Sequence, residues 1–524
     1  MKNTSTINIK TRRFGSAALL CALALTVSLI LCGCNDIFAP GYGPSIGGGG
    51  NERPSDSGDI SDPGQGYFVG TETAPDAVSG SLETVPDPSA GSGTIVSDFV
   101  IETSDGSYSR EGGTYILTAA GTYTVSGRLE EGQIRIAAPE SAEVKLVLGG
   151  VYVSNSSDSP IYAKTADKLK ISVEENSYNE IADKRALKTS DSDETGSAAI
   201  FAECDVSVSG KGTLVVTSGY NNGIGTKDDL KLKELTLKVT CPDNCLKGSD
   251  SLSVESGKYL LISTSGDGLK TSNSDVSSKG NQRGTVTISG GVFEIYAGCD
   301  GIDAAYDLVV SGNPSITINT NSYSEYTDES LLKTASSSGG SQQTPGWFFP
   351  GQGGRPGGMG GPGGMGGGTN ISNRASESAK GLKADNEIKI SGGIILANCR
   401  DDGIHANSDV QLENGKKGAG NVTISGGNVT LNVTDDGIHA DGTLLISDGT
   451  VTVSNSYEGL EGHLINIEGG TVNVYATDDG INAQSSGSGK SDGLITVSGG
   501  KVFVEVYGND VDGIDSNGSY KQTG

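Results

Sequence analysis

Pairs of acidic residues that precede a glycine and an isoleucine are the feature of this sequence best suited to chemistry. The pairs are Asp401 with Asp402, Asp435 with Asp436, and Asp478 with Asp479. Calcium prefers carboxylate and carbonyl oxygens, and a turn supplies the carbonyls, so such turns on neighbouring segments could chelate Ca²⁺. Asp-Gly is also good turn chemistry by itself, because the aspartate oxygens can accept hydrogen bonds from local amides. We expect the second explanation for any single turn and at least one calcium ion for the set.

These turns belong to a repeat that determines the fold. The apolar residue after the glycine recurs at intervals of 21 to 23 residues, with longer steps of 33, 34 and 80, from Ile224 to Ile514. Between the turns lie alternating Val, Ile and Thr broken by glycines, as in residues 422–433, and this alternation indicates β-strands. Three short strands in about 22 residues are the arithmetic of a β-solenoid, whose strands pair one repeat away at ~4.8 Å. The sequence therefore predicts an all-β, single-stranded parallel β-helix with about 22 residues per rung.

The repeat also stacks charge. Two residues before the apolar position, one column contains Lys380, Asp402, Asp436, Glu458, Asp479 and Asp512, and a second column beside it contains Asp401, Asp435 and Asp478. Like charges about 5 Å apart along a sheet are destabilising. A bound cation, or hydrogen bonds within each turn, must offset that repulsion.

The overall charge excludes one class of partner. The chain has 524 residues, with 64 Asp and Glu against 37 Lys and Arg, which gives a formal net charge of −27. Nucleic acid needs a basic surface, so we expect no nucleic-acid partner.

The first 93 residues predict an export signal and a tether. Basic residues precede an apolar run from Ala17 to Leu31 that is too short and wrongly flanked to span a membrane, as in a secretory signal. The run ends Leu31-Cys32-Gly33-Cys34, which resembles a bacterial lipoprotein signal, so we expect a signal peptide over 1–33 and lipidation of Cys34. Cleavage of an ordinary secretory signal a little further on is the alternative. Residues 34–93, rich in Gly, Ser, Pro and Asp, predict a disordered tether, and the β-helix is then expected over 94–524.

The cysteines beyond the signal predict neither zinc nor an extensive disulfide framework. They are Cys204, Cys241, Cys245, Cys299 and Cys399, with no CxxC spacing and no accompanying histidines. Cys241 and Cys245 could form a disulfide, but free thiols buried in the core are the favoured interpretation.

From about residue 95 onward the sequence resembles a family of bacterial extracellular carbohydrate-binding domains. The resemblance rests on Gly-Thr-Tyr-Thr-Val-Ser-Gly at 121–127, on residues 147–151 and 380–384, and on the repeated Asp-Asp-Gly-Ile-His-Ala. It implies a right-handed parallel β-helix related in fold to calcium-dependent pectate lyases. It also implies calcium sites and binding to cell-wall polysaccharides such as cellulose and pectin, without established catalysis. Because the family pattern continues beyond a turn like the one at 512–515, we expect the C-terminus of this sequence to be incomplete.

The related lyases suggest a catalytic alternative. In them calcium acidifies the proton beside a uronate carboxylate, and a neutral lysine or arginine removes it. The candidate bases here are Lys270, Lys380 and Lys383. Surrounding acids should raise the pKa of a lysine and keep it in an ion pair, which favours a non-catalytic protein.

Candidate carbohydrate contacts lie in two places. His405 and His439 occupy the position after the apolar residue and could bind a metal or stack on a sugar, although exposed histidines near turns more often do neither. Trp347, Phe348 and Phe349 lie in a Ser- and Gly-rich insert, 335–369, which predicts a disordered loop. These aromatic residues could stack on sugar faces or pack on the rod.

These features predict a non-catalytic, Ca²⁺-binding protein that is lipid-anchored at the outer face of the bacterial cytoplasmic membrane or at the cell surface. Its expected partners are a plant-cell-wall or other extracellular polysaccharide and, through the lipid alone, the membrane. A monomer is expected. A calcium-dependent polysaccharide lyase acting on uronates and a structural or adhesive surface rod are the alternatives.

Overall fold

The described part of the chain is built from β-strands. The computed structural model describes residues 6–12, 84–88, 95–188, 196–320, 378–408, 410–412, 415–508 and 511–524. No α-helix occurs in these ranges, and so they contain no helix that could cross a membrane. Cys34, the aromatic residues 347–349 and the insert 335–369 lie outside the described residues, as do most of the predicted signal and tether.

Most strands pair in parallel with the strand at the equivalent place in the preceding and following repeat. Ile224 pairs with Leu246, Leu246 with Leu269, and Leu269 with Ile302, and all four side chains are fully buried. The chain therefore returns to the same place once per repeat, and its strands form three faces around a common interior. The predictions of an all-β fold and of parallel strands are confirmed.

The first face carries the Asp-Gly turns, and its separate strands are Thr114–Leu117, Gln133–Ala137, Ile161–Thr165, Ala198–Ala202, Asn222–Thr226, Leu246–Gly248, Leu269–Lys270, Ile302–Ala304, Leu382–Ala384, Ile404–Ala406, Ile481–Ala483 and Asp515–Ser516. The second face contains Lys168–Val173, Asp205–Gly210, Asp229–Lys233, Ser251–Val254, Thr285–Ile288, Asp307–Val310, Gly493–Val497 and Gly518–Gln522. The third face contains Tyr178–Asp183, Thr213–Ser218, Leu235–Cys241, Gly257–Ser263, Val292–Ala297, Ser315–Asn319, Thr471–Ala476, Lys501–Tyr507 and Thr6–Arg12. Six strands continue from one face into the next: Gly121–Leu129, Glu143–Asn155, Glu387–Cys399, Asn421–Val433, Ile438–Asn455 and Leu460–Ile467.

Antiparallel pairs lie near the beginning of the repeat, whereas Thr6–Arg12 lies near its C-terminal end. Val100–Thr103 pairs antiparallel with Gly121–Leu129, and Tyr108–Glu111 pairs antiparallel with Thr114–Leu117. Thr6–Arg12 pairs in parallel with Lys501–Tyr507. The short segment 84–88 lies on the third face, where Val85 packs against Leu260 and Tyr296.

The interior is a stack of Ile, Leu, Val and Ala with few aromatic residues. Tyr259 and Phe293 are fully buried and stack with ring centroids 4.7 Å apart. Cys241 and Cys245 are buried free thiols with their Sγ atoms 3.8 Å apart, in agreement with the interpretation favoured from the sequence.

The repeated glycines have a steric origin. A Cβ atom on Gly301 would lie 2.5 Å from Ile318 Cγ2 and 2.7 Å from the carbonyl oxygen of Gly381, closer than any side chain tolerates. Gly427, in the second repeated phrase, has a φ of 88°, a left-handed conformation that favours glycine. Close approach of neighbouring repeats and bends between faces thus explain the two glycine positions of each repeat.

Candidate functional site

The turn column is the row of side chains two residues before the buried apolar position of each repeat. Its side-chain oxygens bind the backbone of the next repeat. In each of these bonds the side-chain Oδ1 atom of one member accepts a hydrogen bond from the backbone N–H of the member in the next repeat. Written with the acceptor first, the pairs are Asn222 and Asn244 (3.1 Å), Asn244 and Asp267 (3.2 Å), Asp267 and Asp300 (2.9 Å), Asp300 and Lys380 (2.9 Å), Asp402 and Asp436 (3.1 Å), and Asp479 and Asp512 (2.8 Å). The sequence analysis predicted that the aspartate oxygens would accept hydrogen bonds from amides of their own turn. The observed hydrogen bonds instead join successive repeats.

Much of the turn column is buried. Asp300 is 1% exposed, Asp402 3% and Asp436 7%, whereas Asp435, one residue earlier, is exposed. A buried carboxylate needs a charge partner as well as hydrogen bonds, because water no longer solvates it.

Lys380 occupies the turn column itself and supplies one such charge. Its Nζ lies 2.7 Å from Asp401 Oδ2 and 3.1 Å from Asp402 Oδ2. Burial alone would lower the pKa of Lys380, but the charges of Asp402 and Asp401 raise it above its usual value. These carboxylates therefore favour the protonated form of Lys380, which is the wrong form for a general base.

Lys270 and Lys383 lie one residue after the buried apolar position, in a row that we call the face column. Lys270 Nζ lies 2.7 Å from Asp267 Oδ2 and also contacts Asp303. Lys383 Nζ lies 3.5 Å from Asp300 and 3.7 Å from Asp303. The carboxylates outweigh burial for Lys270, and Asp303 is the largest influence on Lys383, so the pKa of each lysine is raised. All three lysines proposed as bases are thus cations in ion pairs.

His405 and His439 follow in the same face column and stack on each other. Their ring centroids are 4.5 Å apart and the ring planes differ by 13°. His405 Nδ1 lies 2.5 Å from Asp402 Oδ2, and His439 Nδ1 lies 3.0 Å from Asp436 Oδ2. The histidines therefore face the turn column instead of projecting freely towards a ligand.

His439 has further carboxylate contacts. Its Nδ1 also lies 2.9 Å from Glu461 Oε2, and its Nε2 lies 3.1 Å from Asp441 Oδ1. Burial would lower the pKa of His439, but the hydrogen bonds to these acids raise it well above its usual value. The same contacts lower the pKa of Asp441 to about 2 against the effect of burial.

Several acids of these turns resist ionisation. Partial desolvation by its neighbours, followed by the charges of Asp402 and Asp436, raises the pKa of Asp435 to about 7, although its side chain still reaches solvent. Burial also raises the pKa of Asp436 and of Glu458 to about 7, with neighbouring carboxylates adding to the effect. This part of the column holds more negative charge than its lysine and histidines offset.

The described residues contain several groups whose ligand atoms are close enough to share an ion. Within 4.8 Å of one another lie the atoms of Asp401, Asp402 and Asp435; of Asp402, His405 and His439; of Asp436, His439 and Glu461; and of Asp267, Cys299 and Asp300. The structure thus brings together three of the six aspartates predicted to bind calcium. Asp478 and Asp479 belong to none of these groups in the described ranges.

Sequence reasoning did not single out Glu461 or Asp441. Glu461 could have been found, because the step of 22 residues from Ile438 to Leu460 places it beside His439 in the repeat. Asp441 has no such signal, since its contact depends on the direction of its side chain beyond the strand position.

A lysine-lined groove on the second face was also not predicted. It has a volume of about 410 Å³. Its lining includes Lys168, Lys170, Lys231 and Lys233, the two acids Asp205 and Asp229, and serines such as Ser207. The four lysine side chains are 34% to 53% exposed. The Lys-x-Lys spacing at 168–170 and 231–233 is the signal that could have revealed it, because alternate residues of a strand share a face.

Comparison with known proteins identifies the family. The family model described as carbohydrate-binding domain-containing protein matches residues 111–419 and 414–462. The chain belongs to this family. The prediction of a carbohydrate-binding family is therefore confirmed, and the groove and the turn column from Asn222 to Glu458 lie within the matched residues.

One relative and one solved structure are also similar to parts of this chain. A carbohydrate-binding domain-containing protein of Acetivibrio thermocellus is 38% identical over 117 residues, 22% of this chain. The match spans 41% of the length of that relative. The gadolinium derivative of a polysaccharide lyase-like protein from C. thermocellum is 31% identical, with 42% of this chain and 86% of that chain covered and a TM-score of 0.38.

Proposed function

We propose that this chain is a non-catalytic polysaccharide-binding protein whose strands wind as a right-handed parallel β-helix. Membership of the carbohydrate-binding domain family supports the ligand class, and the parallel pairing of equivalent strands supports the winding. The signal-like residues 1–33 and Cys34 support display at the cell surface through a lipid anchor.

The lysine-lined groove is the observation that carries the ligand proposal. In a chain of net charge −27, four lysines outnumber two aspartates, Asp205 and Asp229, in one open concavity across the strands Lys168–Val173, Asp205–Gly210, Asp229–Lys233 and Ser251–Val254. Four strands span about 14 Å at the usual spacing, enough to contact several units of an extended polymer. The charge favours an acidic polysaccharide such as pectate over neutral cellulose, because lysine ammonium groups attract carboxylates.

The lysines are not locked to their present partners. Lys168 lies 3.3 Å from Asp205, and Lys170 lies 2.6 Å from Glu143, in pairs that remain open to solvent. Exposed pairs of this kind contribute about 0–1 kcal/mol. A uronate carboxylate can therefore replace an acidic partner at little cost in free energy.

Calcium is proposed at Asp401, Asp402 and Asp435. Their oxygens lie within 4.8 Å of one another, and an all-carboxylate set suits this hard cation. Lys380 already contacts Asp401 and Asp402, so the exposed Asp435 is the member most available for an added ion. Calcium bound there would reduce the negative charge of the rod and could join it to a polymer of the same sign.

The lyase alternative is less favoured by the geometry. A catalytic lysine base must be neutral, and the pKa values of Lys270, Lys380 and Lys383 are all raised by carboxylates. The rod alternative predicts no retention on any polysaccharide.

Retention on insoluble pectate and on cellulose, with and without a calcium chelator, tests the proposal. We expect the purified full chain to bind pectate, and the combined replacement of Lys168, Lys170, Lys231 and Lys233 by serine to weaken binding at least tenfold. Lys389→Ser is the matched control, because Lys389 is an exposed lysine of the same face outside the groove. Chelation should also lower retention if calcium assists.

Four results would overturn parts of this proposal. Equal binding by the quadruple variant would exclude the groove, and stronger retention on cellulose than on pectate would exclude an acidic ligand. Release of unsaturated, ultraviolet-absorbing products from pectate would establish the lyase. No retention on either polymer would favour the remaining alternative, a structural or adhesive surface rod.

A further inference from the structure

His439 has carboxylates at both of its ring nitrogens. Nδ1 lies 3.0 Å from Asp436 Oδ2 and 2.9 Å from Glu461 Oε2, and Nε2 lies 3.1 Å from Asp441 Oδ1. Asp436 and Glu461 are 7% and 4% exposed. Two buried carboxylates and one ring nitrogen thus converge on a single point.

Asp441 determines which ring nitrogen is available at that point. Its Oδ2 accepts the N–H of Ser408 at 2.7 Å, so a neighbouring repeat holds this carboxylate in place. In the neutral ring with its proton on Nε2, which is the form that binds a metal, Asp441 Oδ1 accepts Nε2–H at 3.1 Å and the Nδ1 lone pair is directed at Asp436 and Glu461. A carboxylate behind a ligating histidine is the usual outer support of a protein metal site.

A proton on Nδ1 would satisfy the two carboxylates less well than a metal ion would. One N–H on Nδ1 would have to be shared between two carboxylate oxygens, whereas a divalent cation can bind all three atoms. Metal bonds of about 2.0–2.1 Å in a tetrahedral site separate the ligand atoms by about 3.3 Å. The separations of 2.9 and 3.0 Å reach that value through shifts of a few tenths of an ångström.

A buried amide oxygen in the next repeat is a second, independent observation. Asn482 pairs with Glu461 in the parallel register, and it is 7% exposed. Its Nδ2 donates to Glu458 Oε2 at 2.8 Å, but its buried Oδ1 has no hydrogen-bond partner among the described residues. The residue that pairs with Glu461 in the next repeat thus has a buried, unsatisfied amide oxygen.

The stacked His405 does not share the ion. Its ring is nearly parallel to that of His439, 13° apart, with 4.5 Å between the centroids. A metal lies close to the plane of each imidazole it binds, and one ion at about 2 Å cannot lie in two parallel planes this far apart. The acid beside His405 is Asp402, which Lys380 already neutralises at 3.1 Å.

We propose that Asp436, His439 and Glu461 bind a divalent transition-metal ion of the zinc class, with Asp441 orienting His439. One imidazole nitrogen and two carboxylates suit zinc, cobalt, manganese or iron, whereas calcium selects oxygen ligands. The site is separate from the calcium proposed at Asp401, Asp402 and Asp435 and from the lysine-lined groove.

Titration of the chelator-treated full chain with Zn²⁺, followed by calorimetry, tests the site, and Co²⁺ serves as a spectroscopic probe. We expect one equivalent bound and visible d–d absorption typical of low-coordinate cobalt. His439→Asn and Glu461→Gln should abolish both signals. Asp441→Asn should weaken Zn²⁺ binding about 10- to 100-fold while the cobalt spectrum persists.

His405→Asn is the matched control, since it removes the neighbouring imidazole of the same column and should leave the Zn²⁺ affinity within about twofold. A circular-dichroism melt of each variant shows whether it folds, and Asp441→Asn keeps the test decisive if a ligand variant does not. Absence of Zn²⁺ binding, equal losses in His405→Asn and His439→Asn, or equal competition by Ca²⁺ would each overturn the proposal. Retention on pectate is measured separately, so failure of the metal site does not affect the test of the groove.

Discussion

The turn column performs one structural task with two kinds of residue. In the repeats before residue 260 the acceptors are neutral, Asn222 and Asn244, and further along they are ionisable, as in Asp300 and Asp402. The hydrogen bonds to the next repeat are equally short, at 3.1 and 3.2 Å from the asparagines and 2.9 and 3.1 Å from the aspartates. The hydrogen bond to the backbone N–H of the next repeat therefore requires a side-chain oxygen, but that oxygen need not carry a charge.

The charge of the later repeats needs another explanation. It comes with cations placed in the same columns, such as Lys270, Lys380 and His439, whose partners are buried acids. Buried ion pairs usually give little net stability compared with neutral packing. The charged repeats are therefore the ones to which the proposed ions belong, and the asparagine repeats show the same backbone bonds without that charge.

The largest effect should come from removing the lysine of the turn column. Lys380→Met leaves Asp401 and Asp402 without their cation, and loss of one partner of a buried pair costs about 3–5 kcal/mol in the free energy of unfolding. Urea unfolding at neutral pH in a chelator measures it. Lys389→Met, at an exposed pair with Glu387, should cost about 0–1 kcal/mol. Similar losses in both variants would contradict the distinction.

The ionisation of Asp267 should change the free energy of unfolding by about 3 kcal/mol with pH, whereas Asn244, the preceding member of the turn column, does not titrate. Burial, only partly offset by Lys270, raises the pKa of Asp267 to about 6, about two units above its unfolded value. The folded protein keeps a proton there that the unfolded chain loses, so this contribution is present below about pH 4 and is lost as the pH rises through 6.

Asp267→Asn keeps the acceptor and removes this titration. Relative to the unsubstituted chain, the variant should gain about 3 kcal/mol between pH 4 and pH 7 in urea unfolding. Asp303→Asn is the counterpart, because Lys270 and Lys383 outweigh burial and lower the pKa of Asp303 to about 2. Asp303→Asn should therefore lower the free energy of unfolding at neutral pH. A pH-independent difference for Asp267→Asn would show that its charge is already compensated.

The neutral repeats should lose about 2 kcal/mol when their acceptor is removed. Asn244→Ala leaves the buried N–H of Asp267 without its 3.2 Å bond and breaks the 2.8 Å bond from Asn244 Nδ2 to Asn222 Oδ1, and an unsatisfied buried group costs about 1–3 kcal/mol. Thermal or urea unfolding measures it. Asn313→Ala, at an exposed turn residue, should change stability by less than about 0.5 kcal/mol. No loss in Asn244→Ala would mean that another acceptor replaces the amide.

The parallel strands and the columns could be predicted because the sequence repeats at a nearly constant interval, so equivalent residues of successive repeats lie side by side. The step of 22 residues from Leu382 to Ile404 is enough to place Lys383 beside His405 in the pairing. The repeat places Leu382 directly after Ile302 despite the 80-residue step between them, but it does not show where the Lys383 side chain points, so the ion pair between Lys383 and Asp300 could not be predicted. A long insert separates these partners in sequence without separating them in space.

The burial of the turn column could not be predicted either. The period shows which residues share a column, but it does not show whether their side chains point into the turn or out to solvent. Asp435 and Asp436 are adjacent in sequence, yet one is exposed and the other is 7% exposed. Contacts such as that of Lys238 with Asp87 at 2.8 Å join residues far apart in sequence and leave no local pattern.

The smallest effect should come from an ion pair outside the columns. Lys227 Nζ lies 3.1 Å from Glu203 Oε2, but the two side chains are 61% and 32% exposed. Water solvates both charges in the unfolded and folded states, so Lys227→Met should change the free energy of unfolding by less than about 1 kcal/mol. The difference should shrink further as salt is raised to 1 M, where screening acts over about 3 Å. A loss comparable to that of Lys380→Met would mean that location in the turn column does not determine how much a charge pair contributes to the free energy of unfolding. The difference between the asparagine repeats and the charged repeats would then need a different physical cause.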